Sequence, residues 1–285
     1  MSYANADALV DTQWVADHLD DPNVRIVDGS WHLPPTGRDG LAEYQAAHIP
    51  GAVHFDIDTV SDKSSPLPHM MPTPGDFATA VGTMGIGNQH KVVVYDSAGL
   101  LSGPRVWWMF RVFGHDDVAL MQGGFRKWQA EGRPVTSDAT DHPPADFQAS
   151  FREGMVKSLE DVRQSLLSGD EHVVDARAAN RFAGSEPEFR QGVEAGHIPG
   201  SANLPYGEIV DAETGTYRDA ETLSATFAAA GIDERPVITT CGSGVSACIL
   251  GLGMHLLGNE NWSVYDGSWT EWGSTADTPK AKGQA

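Results

Sequence analysis

Cys241 stands between a short β-branched run, Val237–Thr240, and the small-residue turn Gly242-Ser243-Gly244. The run is predicted to be a buried strand, and the strongly apolar stretch Val245–Leu257 a helix closed by Gly258. A strand, a tight loop and a helix in that order place the loop residue in the crevice at the carboxyl edge of an open α/β sheet. A thiol there is a candidate nucleophile. Free cysteine, with a pKa of about 8.5, is only a few per cent thiolate at neutral pH. At a helix start the unpaired N–H groups and the positive dipole end stabilise the anion, and such thiols fall to about 3.5–7.5. Gly242 and Gly244 lack Cβ atoms, so the loop can curl and turn several amides toward the sulfur. The other reading of a lone thiol is a small buried hydrophobe; the glycine loop and the helix start weigh against it here.

The elements around that loop occur twice. Asp11 is expected to cap a helix over 12–19 ended by Pro22, Val24–Val27 to form a strand, and 41–47 a helix. The segment 58–74 reads as a long polar loop. Helices over 77–84 and 104–113 alternate with strands at Val92–Tyr95 and Val118–Met121. His48-Ile49-Pro50-Gly51 recurs as His197-Ile198-Pro199-Gly200, the strand ending at Asp96 as the strand ending at Cys241, and Gly123-Gly124-Phe125 as Gly267-Ser268-Trp269. Three landmarks repeated in the same order indicate a duplicated domain. The expected division is a first domain over 1–135, a linker over 136–155 and a second domain over 156–285, with the small, polar tail from Gly273 loosely held. Because Asp96 stands where the second copy has Cys241, only the second copy can hold the nucleophile; the first serves structure and completes the pocket.

A chain of 285 residues supports two such cores. Its formal net charge of -20 argues against nucleic acid or an anionic membrane surface as a partner, though a few local arginines can still dominate a cleft. Two cysteines, Cys241 and Cys248, make neither a disulfide framework nor a zinc pair, and the 11 histidines lack ligand spacing. No metal or organic cofactor is expected. No basic segment leads into an apolar core near the N-terminus and no apolar run reaches membrane-spanning length, so the expected compartment is the reducing cytoplasm.

These landmarks resemble the tandem-domain rhodanese superfamily, whose fold is two α/β domains, each a small mostly parallel sheet flanked by helices, with the active cleft between them. The loop Cys241-Gly242-Ser243-Gly244-Val245-Ser246-Ala247 is similar to that of its 3-mercaptopyruvate sulfurtransferases, which move sulfur through a cysteine persulfide. Thiosulfate-using members carry basic residues within this loop, whereas 242–247 holds no Lys or Arg. Related phosphatases need an arginine six residues after the cysteine to cradle phosphate; that position is Ala247.

The resemblance implies catalytic roles for Cys241, Ser243, His69 and Asp58, the last three as a proton relay to the leaving pyruvate enolate. It implies that Arg181 and Arg190 bind the carboxylate and keto oxygen of the donor, with Gly242, Gly244, Val245 and Ser246 of the loop also at the substrate. On spacing alone, the two arginines could equally be surface residues paired with Glu186 and Glu188. Asp58, His69 and Ser243 could likewise be a turn cap, a surface histidine and a small loop residue. His48 and His197, present in both halves, are expected to support the fold; Trp107, Trp108, Trp128, Trp269 and Trp272 to pack the core; and Cys248 to be buried. Trp31 is a candidate for the cleft wall. The expected reaction is sulfur transfer from 3-mercaptopyruvate to thioredoxin, a small thiol or cyanide, releasing pyruvate. The alternatives are a thiosulfate:cyanide sulfurtransferase and a non-catalytic sulfide- or thiol-binding module.

Overall fold

A computed structural model describes residues 2–283. Its strands in chain order are β1 (Leu9–Val10), β2 (Val24–Asp28), β3 (Val53–His54), β4 (Lys91–Tyr95), β5 (Val118–Met121), β6 (Val156–Lys157), β7 (His172–Asp175), β8 (Ala202–Asn203), β9 (Val210–Asp211), β10 (Thr216–Tyr217), β11 (Val237–Thr240) and β12 (Trp262–Tyr265). They form two five-stranded sheets, ordered β1-β5-β4-β2-β3 and β6-β12-β11-β7-β8, with β9 and β10 a separate hairpin. Every pair within the two sheets is parallel. With the hairpin set aside, the second order repeats the first strand for strand. The repeat read from three short motifs is therefore a duplicated fold. Registers match as well: Asp28 pairs with Tyr95 in the first sheet and Asp175 with Thr240 in the second. The residue after β4 is Asp96 and the residue after β11 is Cys241, so both occupy the same carboxyl-edge position.

Local signals act much as expected. Asp11 accepts the Trp14 N–H at 2.7 Å and starts the helix Thr12–Asp17, which ends two residues short of the expected span. Thr73 caps Pro74–Thr83 by accepting from Asp76. The helix after Cys241 is shorter than predicted, Ala247–Leu256 in place of 245–257. Val245 and Ser246 remain in the loop because Gly244, at φ 73, bends the chain through the left-handed region before the helix can begin.

The two domains share one core. The helix Gly103–Val112 is buried at every position but Arg111, and Ala247–Leu256 is buried throughout. Helices with almost no exposed face must be covered nearly all round, and these two pack against each other across the interface within a single hydrophobic cluster. Gly251 leaves room for the Trp262 ring, which a Cβ would meet at 2.3 Å, and that ring stacks at 6.3 Å on Trp107 of the first domain. Trp107, Trp108, Trp128, Trp269 and Trp272 are all fully buried. His48 and His197 support the fold in equivalent ways, their Nδ1 atoms on the Tyr44 and Phe182 carbonyls and their rings stacked on the same two residues.

The linker, and the tail expected to be loosely held, are both fastened down. Phe147, between the two sheets in sequence, packs against Phe77 and Phe110, and the Ala145 and Ser150 amides bond to Gly82 and Phe113. At the C-terminal end, Trp272 Nε1 donates to the Pro279 carbonyl, Thr278 Oγ1 to the Trp272 carbonyl, and Ala281 bridges to His197. Polar composition suggested a loose tail, but its backbone groups have partners on the domain surface.

Candidate active site

The Cys241 loop is held by its carbonyls. Trp269 N–H donates to Cys241 O, the Thr270 N–H and hydroxyl both donate to Gly242 O, and Arg105 Nη1 and Cys248 Sγ both donate to Gly244 O. With the carbonyls drawn outward, the amides of Gly242 to Ser246 meet no protein acceptor among the described residues. The first domain shows what such a loop binds. There the Asp96 carboxylate receives N–H bonds at 2.7–3.0 Å from Ala98, Gly99, Leu101, Ser102 and Gly103. One copy thus encloses a fixed anion in a nest of five amides, and the other presents Cys241 at the equivalent place with its loop amides unclaimed.

Cys241 is 2% exposed, yet it lines a cavity of about 210 Å³ at the domain interface. Trp31, Leu33 and Leu101 contribute the first domain's wall; Arg177, Arg181, Phe189 and Tyr206 contribute the second's. Gly242, Ser243, Val245 and Ser246 also reach this cavity. Gly244 faces away: a Cβ there would meet Arg105 Nη1 at 2.8 Å and the Asp266 carbonyl at 2.9 Å.

Arg181 faces the cavity while its Nη2 lies 2.5 Å from Glu188 Oε2. Arg181 does pair with Glu188, but not at the surface, since the Glu188 side chain is 3% exposed. Arg177, which the sequence reading passed over, shares the same carboxylate at 2.8 Å. Asp175, the Gly196 carbonyl and the Trp269 ring also hold Arg177. Burial opposes its charge, but Asp175 and Glu188 more than compensate and keep the guanidinium above its ordinary value. The available signal was its position two residues beyond the end of β7, in the same crevice as Cys241.

Arg190 is placed differently. Its Nη2 donates to Ser243 Oγ at 3.3 Å, and the residue lines a second, polar cavity of about 300 Å³ together with Asp58 and His69. The two cavities have Trp31 in common. Burial pulls the Arg190 guanidinium below its usual value, against the attraction of Asp58 and Cys241.

Asp58 and His69 do meet: His69 Nδ1 lies 2.6 Å from Asp58 Oδ1, and Trp31 Nε1 donates to Asp58 Oδ2 at 2.7 Å. Burial works against the Asp58 charge, but His69, Trp31 and Arg190 outweigh it and lower the pKa. Burial likewise lowers His69, assisted by Arg105 and Arg190 and opposed by Asp58. His69 takes φ 59, uncommon outside glycine, with its carbonyl accepting from Arg105 Nη2. Its Nε2 is buried without a protein partner among the described residues, and its Nδ1 contact with Asp58 is close but lacks hydrogen-bond geometry. Ser243 bonds to Arg190, so Asp58–His69 and Ser243 occur as two separate halves that Arg190 brings into one neighbourhood.

Cys248 is fully buried, which pushes its thiol far above the ordinary range. It is the inert thiol of the pair. No helix is long and apolar enough to cross a membrane, and no group of three or more metal-ligating side chains occurs among the described residues.

Two parallel α/β domains of identical order, with a cysteine at one carboxyl edge and a carboxylate at the other, define a duplicated domain whose two copies differ at that position. The rhodanese-like domain profile matches residues 11–131 and again residues 158–275, and the chain belongs to that family. The chain is 45% identical over 272 residues to the 3-mercaptopyruvate sulfurtransferase of Rattus norvegicus, spanning 93% of this chain and 91% of that protein. It is 44% identical over 273 residues to the thiosulfate sulfurtransferase of Cricetulus griseus, with the same two coverages. Among solved structures, that of SseA from Escherichia coli, titled a 3-mercaptopyruvate sulfotransferase, superposes with a TM-score of 0.84 at 38% identity. It covers 92% of this chain and 98% of its own.

Proposed function

We propose that this protein takes sulfur from 3-mercaptopyruvate onto Cys241 and passes it to a thiol acceptor, releasing pyruvate. It is a sulfurtransferase of the rhodanese family. The observation that carries the reading is the pairing of Cys241, in a loop with unclaimed amides, with the Asp96 loop, where the same geometry surrounds an anion. A thiolate, and then a persulfide anion, is the charge such a loop stabilises.

In the donor half-reaction the Cys241 thiolate attacks the donor sulfur. The S–S bond forms as the C–S bond breaks, and the bonding pair leaves on carbon as the pyruvate enolate. The donor's own thiol proton is the one the methyl group gains, so what is required is a path from sulfur to carbon. Ser243 beside Arg190 and His69 on Asp58 supply the groups for it, with His69 as the proton carrier and Asp58 as its orienting partner. Arg181, in the Cys241 cavity, binds the donor carboxylate, and Arg190 the keto oxygen from the Ser243 side. In the second half-reaction an acceptor thiolate, from a small thiol or a thioredoxin-like protein, attacks the outer sulfur and Cys241 leaves as thiolate.

Overall identity does not separate this reading from thiosulfate use, since the two classes of relative stand at 45% and 44%. The loop does: 242–247 carries no cation, and the cavity arginines Arg177 and Arg181 are already shared with Glu188. That suits a monoanionic keto acid better than a dianion. The test is mass spectrometry of the Cys241 peptide after each donor. A gain of about 32 Da with 3-mercaptopyruvate, weaker with thiosulfate and absent in Cys241→Ser, is expected. The reverse donor order assigns the protein to thiosulfate, and no gain with either donor leaves a binding module.

A further inference from the structure

We propose that Trp31 is a positioning residue for proton transfer, its indole N–H holding the outer oxygen of Asp58 so that the other oxygen stays on His69. The proposal rests on the proton-carrying role given to His69 above. The Asp58 side chain is 54% exposed and sits on the polar loop that follows β3. An exposed carboxylate with no directional bond turns about its side-chain torsions; a hydrogen bond donated to one oxygen restricts that turn and keeps the other oxygen in place. His69 Nδ1 lies 2.6 Å from Oδ1, a close contact without hydrogen-bond geometry, and Trp31 Nε1 donates to Oδ2 at 2.7 Å. The Trp31 ring also meets the His69 ring edge-on, with centroids 4.8 Å apart and planes at 79°. One side chain thus restrains both members of the pair.

Trp31 is itself immobilised. It is 8% exposed, and its backbone N–H donates to Ser102 Oγ at 3.0 Å. It also lines both cavities, the one with Cys241 and the one with Asp58, His69 and Arg190. A phenyl ring could fill much of the same wall but has no N–H to give Asp58. The two functions of the residue are therefore separable by substitution.

Charged groups press on the pair from several elements. Arg105, from the interdomain helix, holds the His69 carbonyl; Arg190 comes from the second domain; Lys63 contacts the Asp58 carbonyl; and Asp56, His32 and His54 line the same cavity. Trp31→Phe leaves each of these in place, so a change in the pH profile reports the lost N–H together with the smaller ring against His69. Removing a hydrogen bond that stabilises the Asp58 carboxylate makes it easier to protonate, which moves the acid limb of the kcat profile to higher pH.

The experiment is steady-state kinetics of 3-mercaptopyruvate turnover for wild type, Trp31→Phe, Asp58→Asn and the double variant. Trp31→Phe is expected to lower kcat about fivefold, the loss of one ordinary hydrogen bond, with KM changed less than twofold. Added to Asp58→Asn, it is expected to cost less than twofold more, because its effect passes through Asp58. A rise in KM with kcat unchanged, or losses that multiply in the double variant, overturns the proposal and leaves Trp31 as wall alone. If Asp58→Asn and His69→Asn themselves leave kcat unaltered, the proton-carrier reading falls, and this proposal with it. Should Trp31→Phe not fold, nitrogen-15 tryptophan labelling of the wild type decides: the Trp31 indole N–H resonance is expected to shift as Asp58 titrates and to lose that shift in Asp58→Asn. A resonance indifferent to Asp58 overturns the proposal.

Discussion

The guanidinium of Arg105, carried by the first domain, lies 2.7 Å from the Asp266 carboxylate of the second, and both side chains are buried. Arg105 also donates to the carbonyls of Gly244 and His69, and Asp266 accepts the Met71 N–H. A single ion pair therefore ties the Cys241 loop to the loop bearing Asp58 and His69. Breaking a buried pair strands its partner, so Arg105→Met is expected to destabilise the protein by about 3–5 kcal/mol. Chemical denaturation measures this, and an unchanged midpoint would show that the pair contributes nothing net.

Asp96→Asn replaces a carboxylate that satisfies five amides with a group that has one acceptor oxygen and two donors. The expected cost is roughly 3 kcal/mol, from buried donors left unmatched. The rate of persulfide formation on Cys241 should stay near wild type, because the substitution falls in the copy without the nucleophile. Stopped-flow pyruvate release and a denaturation curve test the two halves of this statement.

Arg181→Ala and Arg190→Ala should both raise KM for 3-mercaptopyruvate, by about tenfold or more if each gives a charged hydrogen bond to the donor. The structure separates them further. Arg181 is backed by Glu188, whereas Arg190 also holds the Ser243 hydroxyl, so Arg190→Ala should lower kcat as well. Unchanged kinetics in both variants removes the two arginines from the site.

Glu43 joins His32, Arg38 and Ser97 on the surface of the first domain. Burial works against its charge, but hydrogen bonds from Arg38, Ser97 and His32 outweigh it and hold its carboxyl at about 2, below the ordinary 4.5. Because the folded value is depressed, its stabilisation is present above about pH 4.5 and is lost as the pH falls toward 2. Glu43→Gln should accordingly lower stability at neutral pH and flatten the acid limb of the stability profile. Denaturation midpoints between pH 2 and pH 7 check this; parallel profiles for the two proteins would contradict it.

The sequence by itself determined the duplicated order, the loop that carries Cys241 and the copy that has Asp96 in its place. Those signals are local: β-branched runs ending in Asp96 or Cys241, glycines beyond them, Asp11 before its helix, and the repeated His-Ile-Pro-Gly. Local signals erred where a neighbour intervened. The helix after Cys241 begins at Ala247 because the left-handed turn at Gly244 comes first, and the polar tail is fastened because Trp272 and His197 lie in reach. Tertiary structure alone decided which cations face the sulfur. It set Arg177 and Arg181 on one carboxylate, moved Arg190 to the neighbouring cavity, and placed Trp31 between the two. No spacing encodes such contacts, because Trp31, Asp58 and His69 reach the second domain's residues through the packing of Gly103–Val112 against Ala247–Leu256, helices more than a hundred residues apart in the chain.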